Sequence, residues 1–195
     1  ALLQFNRADF RLAWLRAHFP EAHILHLYRD PREQWVSIIR KSKQTLALDL
    51  QGWGPEQGKD LFYTYEWCRD LQGVFPILDP LQKEHPYFFH YALWRLSYLF
   101  GARLSDVSIG YESLIENMEA TLGPSLKLLG IPTTDLKSLR AINRGRLDRR
   151  SAEYAPDNWY ADIEARCEFR IRAYFVKSPL WGNQPHRSTE PTEDI

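Results

Sequence analysis

The sequence predicts an α/β fold, a parallel sheet layered between flanking helices, and three observations carry that expectation. His23 to Tyr28 is a short, mostly apolar run of the kind that forms a strand covered on both faces. Arg29-Asp30-Pro31 breaks it at once and opens a helix, with Asp30 as cap and Pro31 at the first helical position. Residues 1 to 5 read as a strand and Asp9 to His18 as a helix ahead of the His23 to Tyr28 run, with Asp106 to Tyr111 a later strand. The order strand, helix, strand, tight turn, helix is the pattern of right-handed crossovers in a parallel sheet.

Along the chain, Ala1 to Phe5 is expected as a first short strand. Asp9 to His18 is expected as a helix, because Phe10, Leu12, Trp14 and Leu15 recur at helical spacing and Pro20 stands just beyond. After His23 to Tyr28, the helix opened by Pro31 runs into the low forties. Leu46 to Gly58 holds Gly52, Gly54, Gly58 and Pro55 and reads as a loop. Helices are predicted over Asp60 to Gly73 and Pro86 to Phe100, the second stopped by Gly101 just past its end. Met118 to Leu129 predicts a further helix with Leu122, Leu126 and Leu129 on one face, closed by Gly130-Ile131-Pro132, and Asp162 to Phe175 the last. The expectation is one domain over 1–184 and a polar tail over 185–195, without internal repeats.

Composition narrows the function classes. The chain has 195 residues, 44% of them hydrophobic, enough for a real core, which excludes a disordered or fibrous chain. Its 25 Lys+Arg balance 25 Asp+Glu, so nucleic-acid binding by bulk charge is not expected and any anion site must be local. The strongest local excess lies between Lys137 and Arg150, where six basic residues face one acid, Asp148. Cys68 and Cys167 have no CxxC spacing, which points to a reducing, cytoplasmic compartment. No apolar run approaches the roughly 20 residues of a membrane span. His23 and His26 face opposite sides of their strand, and His85, His90 and His186 lack partners at ligand spacing, so no metal is expected.

The chemistry concentrates at the end of the His23–Tyr28 strand. In an open parallel sheet, ligands bind beyond the carboxyl ends of the strands, where a helix N-terminus favours an anion. Arg29 stands there, and Ser37 follows eight residues later, about two helical turns into the next element. A long guanidinium and a hydroxyl so spaced reach one phosphate. The competing account of Arg29-Asp30-Pro31 is a plain strand-to-helix corner with Asp30 capping and Arg29 paired to a carboxylate. The middle third is crowded with aromatics, among them Tyr63, Trp67, Tyr87, Phe88, Phe89, Tyr91, Trp94 and Tyr98. Two aromatic helix faces packed in the core account for them, as does a lining for an acceptor pocket.

Arg29 to Ser37 resembles the 3′-phosphate-binding motif of the sulfotransferases that use 3′-phosphoadenosine 5′-phosphosulfate (PAPS). Tyr111-Glu112-Ser113-Leu114 resembles the Tyr-Glu-Asp-Leu segment of the same family, and Arg144-Gly145-Arg146 its late Arg-Lys-Gly loop. The resemblance runs from about Phe5 to Pro132, with the weaker loop match beyond. It implies a P-loop nucleotide hydrolase-like fold of the sulfotransferase type and transfer of a sulfuryl group from PAPS, as co-substrate, to a hydroxyl or amine of a small-molecule or carbohydrate acceptor. It implies that Arg29 and Ser37 hold the 3′-phosphate, that Tyr111 lies against the adenine, and that Arg144 and Gly145 close over the phosphate. A homo-oligomer is compatible with it.

The chain departs from that pattern in two ways. No glycine-rich loop with Lys and Ser/Thr is present to cradle the 5′-phosphosulfate, and the expectation is that the N-terminal part of the fold, which carries it, lies outside these residues. Where some family members carry a histidine base, this chain has Gln4-Phe5-Asn6-Arg7, so no catalytic residue is assigned. Asn6 and Arg7 either position oxygens or serve as a helix cap and a surface cation. Two other functions remain open from sequence. One is a nucleotide or small-molecule kinase; the other is a non-catalytic binding module derived from the same fold.

Overall fold

The structure is a computed structural model, and it describes residues 3–5, 7–43, 46–54, 63–132 and 149–176. It is mixed α/β but mostly helical. Strands β1 (Leu25–Tyr28) and β2 (Val107–Gly110) form a two-stranded parallel sheet, with Leu25 opposite Val107 and Tyr28 opposite Gly110. The described helices are α1 (Leu12–His18), α2 (Pro31–Ser42), α3 (Thr64–Leu71), α4 (Pro86–Leu104), α5 (Tyr111–Glu116), α6 (Met118–Leu128), α7 (Ser151–Tyr154) and α8 (Asp157–Val176). No described helix is long and apolar enough to cross a membrane.

The three-layer parallel sheet expected from sequence is not present among the described residues; two strands are. The expected strand at 1–5 does not form over residues 3–5, which have no regular structure. Leu3 and Phe5 are exposed there, so an apolar pattern without a pairing edge stays irregular. Arg144 and Gly145, the 185–195 tail and most of the basic run lie outside the described residues.

Local chemistry sets the start of α2. The Asp30 carboxylate accepts from the N–H groups of Arg32 and Glu33 at 2.8 and 3.0 Å, and Pro31 occupies the first helical position. At the start of α4, His85 caps with its ring: Nδ1 accepts from the Tyr87 N–H at 3.0 Å, and Nε2 bonds the Ala47 carbonyl at 3.2 Å.

The core lies among α2, α4 and α8 rather than around the sheet. Tyr87, Phe88 and Phe89 of α4 are fully buried with Trp35 of α2 and Tyr160 of α8. The α4 aromatics therefore belong to the interior. Helix α8 is keyed to this core by paired carboxylates one turn apart. Glu164 takes two hydrogen bonds of 2.8 Å from Arg32 and one of 2.6 Å from the Tyr87 hydroxyl. Glu168 accepts from Tyr91 at 3.0 Å and pairs with Arg95 at 2.6 Å.

Gly101 does not end α4, which continues to Leu104. A Cβ at Gly101 would stand 2.5 Å from the His26 ring, so glycine is required for the close approach of helix to strand. His26 and Tyr28 face α4, with Tyr28 and Tyr98 edge to face at 4.9 Å. Leu25 and Leu27, on the alternate positions of β1, are exposed.

Candidate functional site

The site is built where β1 hands over to α2. The Arg29 carbonyl accepts from Trp94 Nε1 at 2.8 Å, and the Asp30 N–H donates to Glu112 Oε1 at 3.1 Å. These bonds tie the strand end to α4 on one side and to the start of α5 on the other. Because Tyr28 pairs with Gly110, the next residues of both strands emerge side by side. Arg29, Tyr111 and Glu112 therefore meet at the carboxyl edge of the sheet.

The Arg29 guanidinium lies 5.2 Å from the Tyr111 ring centroid, and its Nε stands 3.9 Å from Glu112 Oε1, beyond hydrogen-bonding range. That Nε is buried and has no hydrogen-bond partner. The strand-to-helix corner is therefore present, with Asp30 as cap and Arg29 in a long ion pair with Glu112, but that pair leaves the Nε donor without a hydrogen bond. Such a group marks a place where an acceptor is wanted.

A cavity of about 310 Å³ opens beside it, with Arg29, Glu33, Ser37, Arg40, Lys41 and Arg150 on its wall. Glu33, Ser37, Arg40 and Lys41 follow one another at helical spacing on one face of α2. The eight-residue step from Arg29 to Ser37 thus brings a guanidinium and a hydroxyl to a single concavity. Four cations stand against one carboxylate. Among the described residues neither Arg40 nor Lys41 has an ion-pair partner, whereas Arg32, in the first turn of the same helix, is consumed by Glu164.

Glu33 is 9% exposed, and its oxygens accept the backbone N–H groups of Arg150 and Ser151 at 2.8 and 2.9 Å. Burial works to raise its pKa, but these bonds, with the nearby Arg29 charge, hold it below the ordinary carboxylate value. It therefore stays anionic. The donor set fits a phosphate: guanidinium forks, an ammonium and a hydroxyl around a small cavity. Among the described residues no group of three His, Cys, Asp or Glu is placed to hold a metal.

Of the residues singled out from sequence, Arg29 and Ser37 share the cavity, and Tyr111 packs against Arg29 without lining it. Arg7 stands apart, its guanidinium 4.7 Å from the Trp67 ring centroid. Arg40, Lys41 and Arg150 were not singled out. The first two were legible as the residues three and four beyond Ser37 on the same helix face; Arg150 was legible only as the last member of the basic run. Compared with family models, with curated proteins and with solved structures, the chain finds no match in any of the three.

Proposed function

We propose that this chain carries the 3′-phosphate and adenine half of the donor site of a PAPS-dependent sulfotransferase. The observation that carries the proposal is the shared cavity: Arg29, with its orphaned Nε, and Ser37 face one concavity walled by three further cations. Its volume of about 310 Å³ is at the lower end of the ~300–1,000 Å³ of ligand sites, a size for a phosphate and the sugar that bears it. Tyr111, beside Arg29 at the same sheet edge, offers a ring against which the adenine stacks. The family resemblance assigns closure over the phosphate to Arg144 and Gly145, which lie outside the described residues.

The reaction is in-line sulfuryl transfer. The acceptor hydroxyl oxygen or amine nitrogen bonds to sulfur as the bond from sulfur to the phosphate oxygen breaks; adenosine 3′,5′-bisphosphate leaves, and the acceptor's proton passes to a base not assigned in this chain. The residues described here contribute binding and orientation of the donor, which such a transfer needs more than a covalent intermediate. The finer fold, a sulfotransferase-type three-layer sheet, is part of the same proposal. Parallel sheets are ordinarily covered on both faces, and the exposed Leu25 and Leu27 are the positions a further layer would cover. A cytoplasmic location accords with the two free, buried thiols of Cys68 and Cys167.

Calorimetric titration tests the proposal. The wild-type chain binds adenosine 3′,5′-bisphosphate more tightly than ATP, and Arg29→Ala weakens that binding about 100-fold. Equal affinity in the two proteins would remove Arg29 from the site. A preference for ATP would instead indicate a kinase, and binding of neither nucleotide a non-catalytic module.

A further inference from the structure

A carboxylate on the wall of an anion site repels the ligand, so Glu33 needs a reason to be there. Its direct bonds supply one. Oε2 accepts from the Arg150 N–H at 2.8 Å and Oε1 from the Ser151 N–H at 2.9 Å. Both belong to the start of α7, a four-residue helix whose own cap residue provides no side-chain bond. Glu33 therefore acts as the missing cap, supplied from another element. On the other side, the Tyr160 hydroxyl of α8 donates to the Ser151 carbonyl at 3.1 Å. The short stretch that bears Arg150 is held between α2 and α8.

Building on the phosphate reading above, we infer that Glu33 is a positioning residue: by clasping the N–H groups of Arg150 and Ser151 it seats Arg150 at the anion cavity formed by Arg29 and Ser37. The arrangement tolerates the carboxylate because its lone pairs face the two N–H groups, and the cost of one negative charge is offset by fixing the backbone from which a guanidinium reaches the cavity. Arg150 is then a binding residue that reaches the site from 113 positions beyond Ser37, and the Glu33 side chain of α2 secures the backbone that carries it.

The test is a double-variant cycle on the full chain, read by calorimetry with adenosine 3′,5′-bisphosphate and, in parallel, with inorganic phosphate. Arg150→Ala and Glu33→Gln are each expected to weaken binding about 10-fold, since glutamine replaces one of the two acceptor oxygens with a donor. Combined, they weaken it no further than Arg150→Ala alone, although the melting temperature still falls with Glu33→Gln in that background. A residue that serves stability alone gives the second effect without the first. Ser151→Pro removes both the N–H and the hydroxyl that Ser151 offers to Glu33, at the first helical position, where proline is accepted, and it keeps the test decisive if Glu33→Gln does not fold. It is expected to weaken binding about threefold in the presence of Arg150 and not at all in its absence. Losses that simply add, or unchanged affinity in Glu33→Gln or Ser151→Pro, overturn the inference while leaving the nucleotide reading intact. Phosphate binding with the same non-additive pattern, but no binding of the nucleotide, supports the clasp and overturns the nucleotide reading instead. Binding of neither probe by the wild-type chain overturns both.

Discussion

Arg29 and Ser37 make unequal claims on a phosphate. A guanidinium contributes charge and a fork of donors, whereas a hydroxyl contributes one neutral bond. Ser37→Ala is accordingly expected to weaken adenosine 3′,5′-bisphosphate binding only about fivefold, against about 100-fold for Arg29→Ala, in parallel titrations. Equal losses would place the two side chains in equivalent roles and contradict the division. That Arg29 and Ser37 share a cavity was legible because their spacing is fixed along one chain segment. Arg150 was not, because it arrives through tertiary contact with Glu33, and no local pattern records such a contact.

The capped helix at Asp30-Pro31 could be read directly, since capping is decided by residues a few positions apart. The end of α4 could not. Gly101 looks like a stop signal in sequence, yet the helix passes through it because the residue is chosen for its distance from His26 on another element. Gly101→Ala is therefore predicted to destabilise the fold by about 1–3 kcal/mol in urea unfolding, despite alanine's better helix propensity. A gain in stability would show that strand β1 gives way easily and would contradict the tight packing. The missing strand at 3–5 has the same lesson in reverse: an apolar pattern is necessary for a strand, but the pairing edge comes from elsewhere in the molecule.

The molecule as a whole has a predicted sensitivity to acid. Burial lowers the pKa of both His85 and His90 from 6.5 to about 4. Burial holds both rings neutral in the folded state, and His85 also uses Nδ1 as an acceptor for the Tyr87 N–H; the His90 bond to the Pro31 carbonyl at 3.0 Å works against burial without overcoming it. Below pH 6.5 the unfolded chain takes up protons that the native chain refuses until about pH 4. Stability present above 6.5 is lost across that window, on the order of 3 kcal/mol per histidine. Glu33 adds to the same trend at the lower end: its lowered pKa gives stability that is complete above the ordinary carboxylate range and lost as pH falls through the native value. Urea midpoints measured from pH 7.5 to 4 test this, and a flat profile would contradict it.

The proposed function rests on the cluster at one sheet edge, where local spacing brings Arg29 and Ser37 together and long-range packing adds Arg150. A crystal structure of the chain with adenosine 3′,5′-bisphosphate examines that cluster most directly. The 3′-phosphate is expected between the Arg29 guanidinium and the Ser37 hydroxyl, with Nε of Arg29 taking the acceptor it lacks here. A phosphate seated anywhere else, with that cavity left to solvent, would contradict the account.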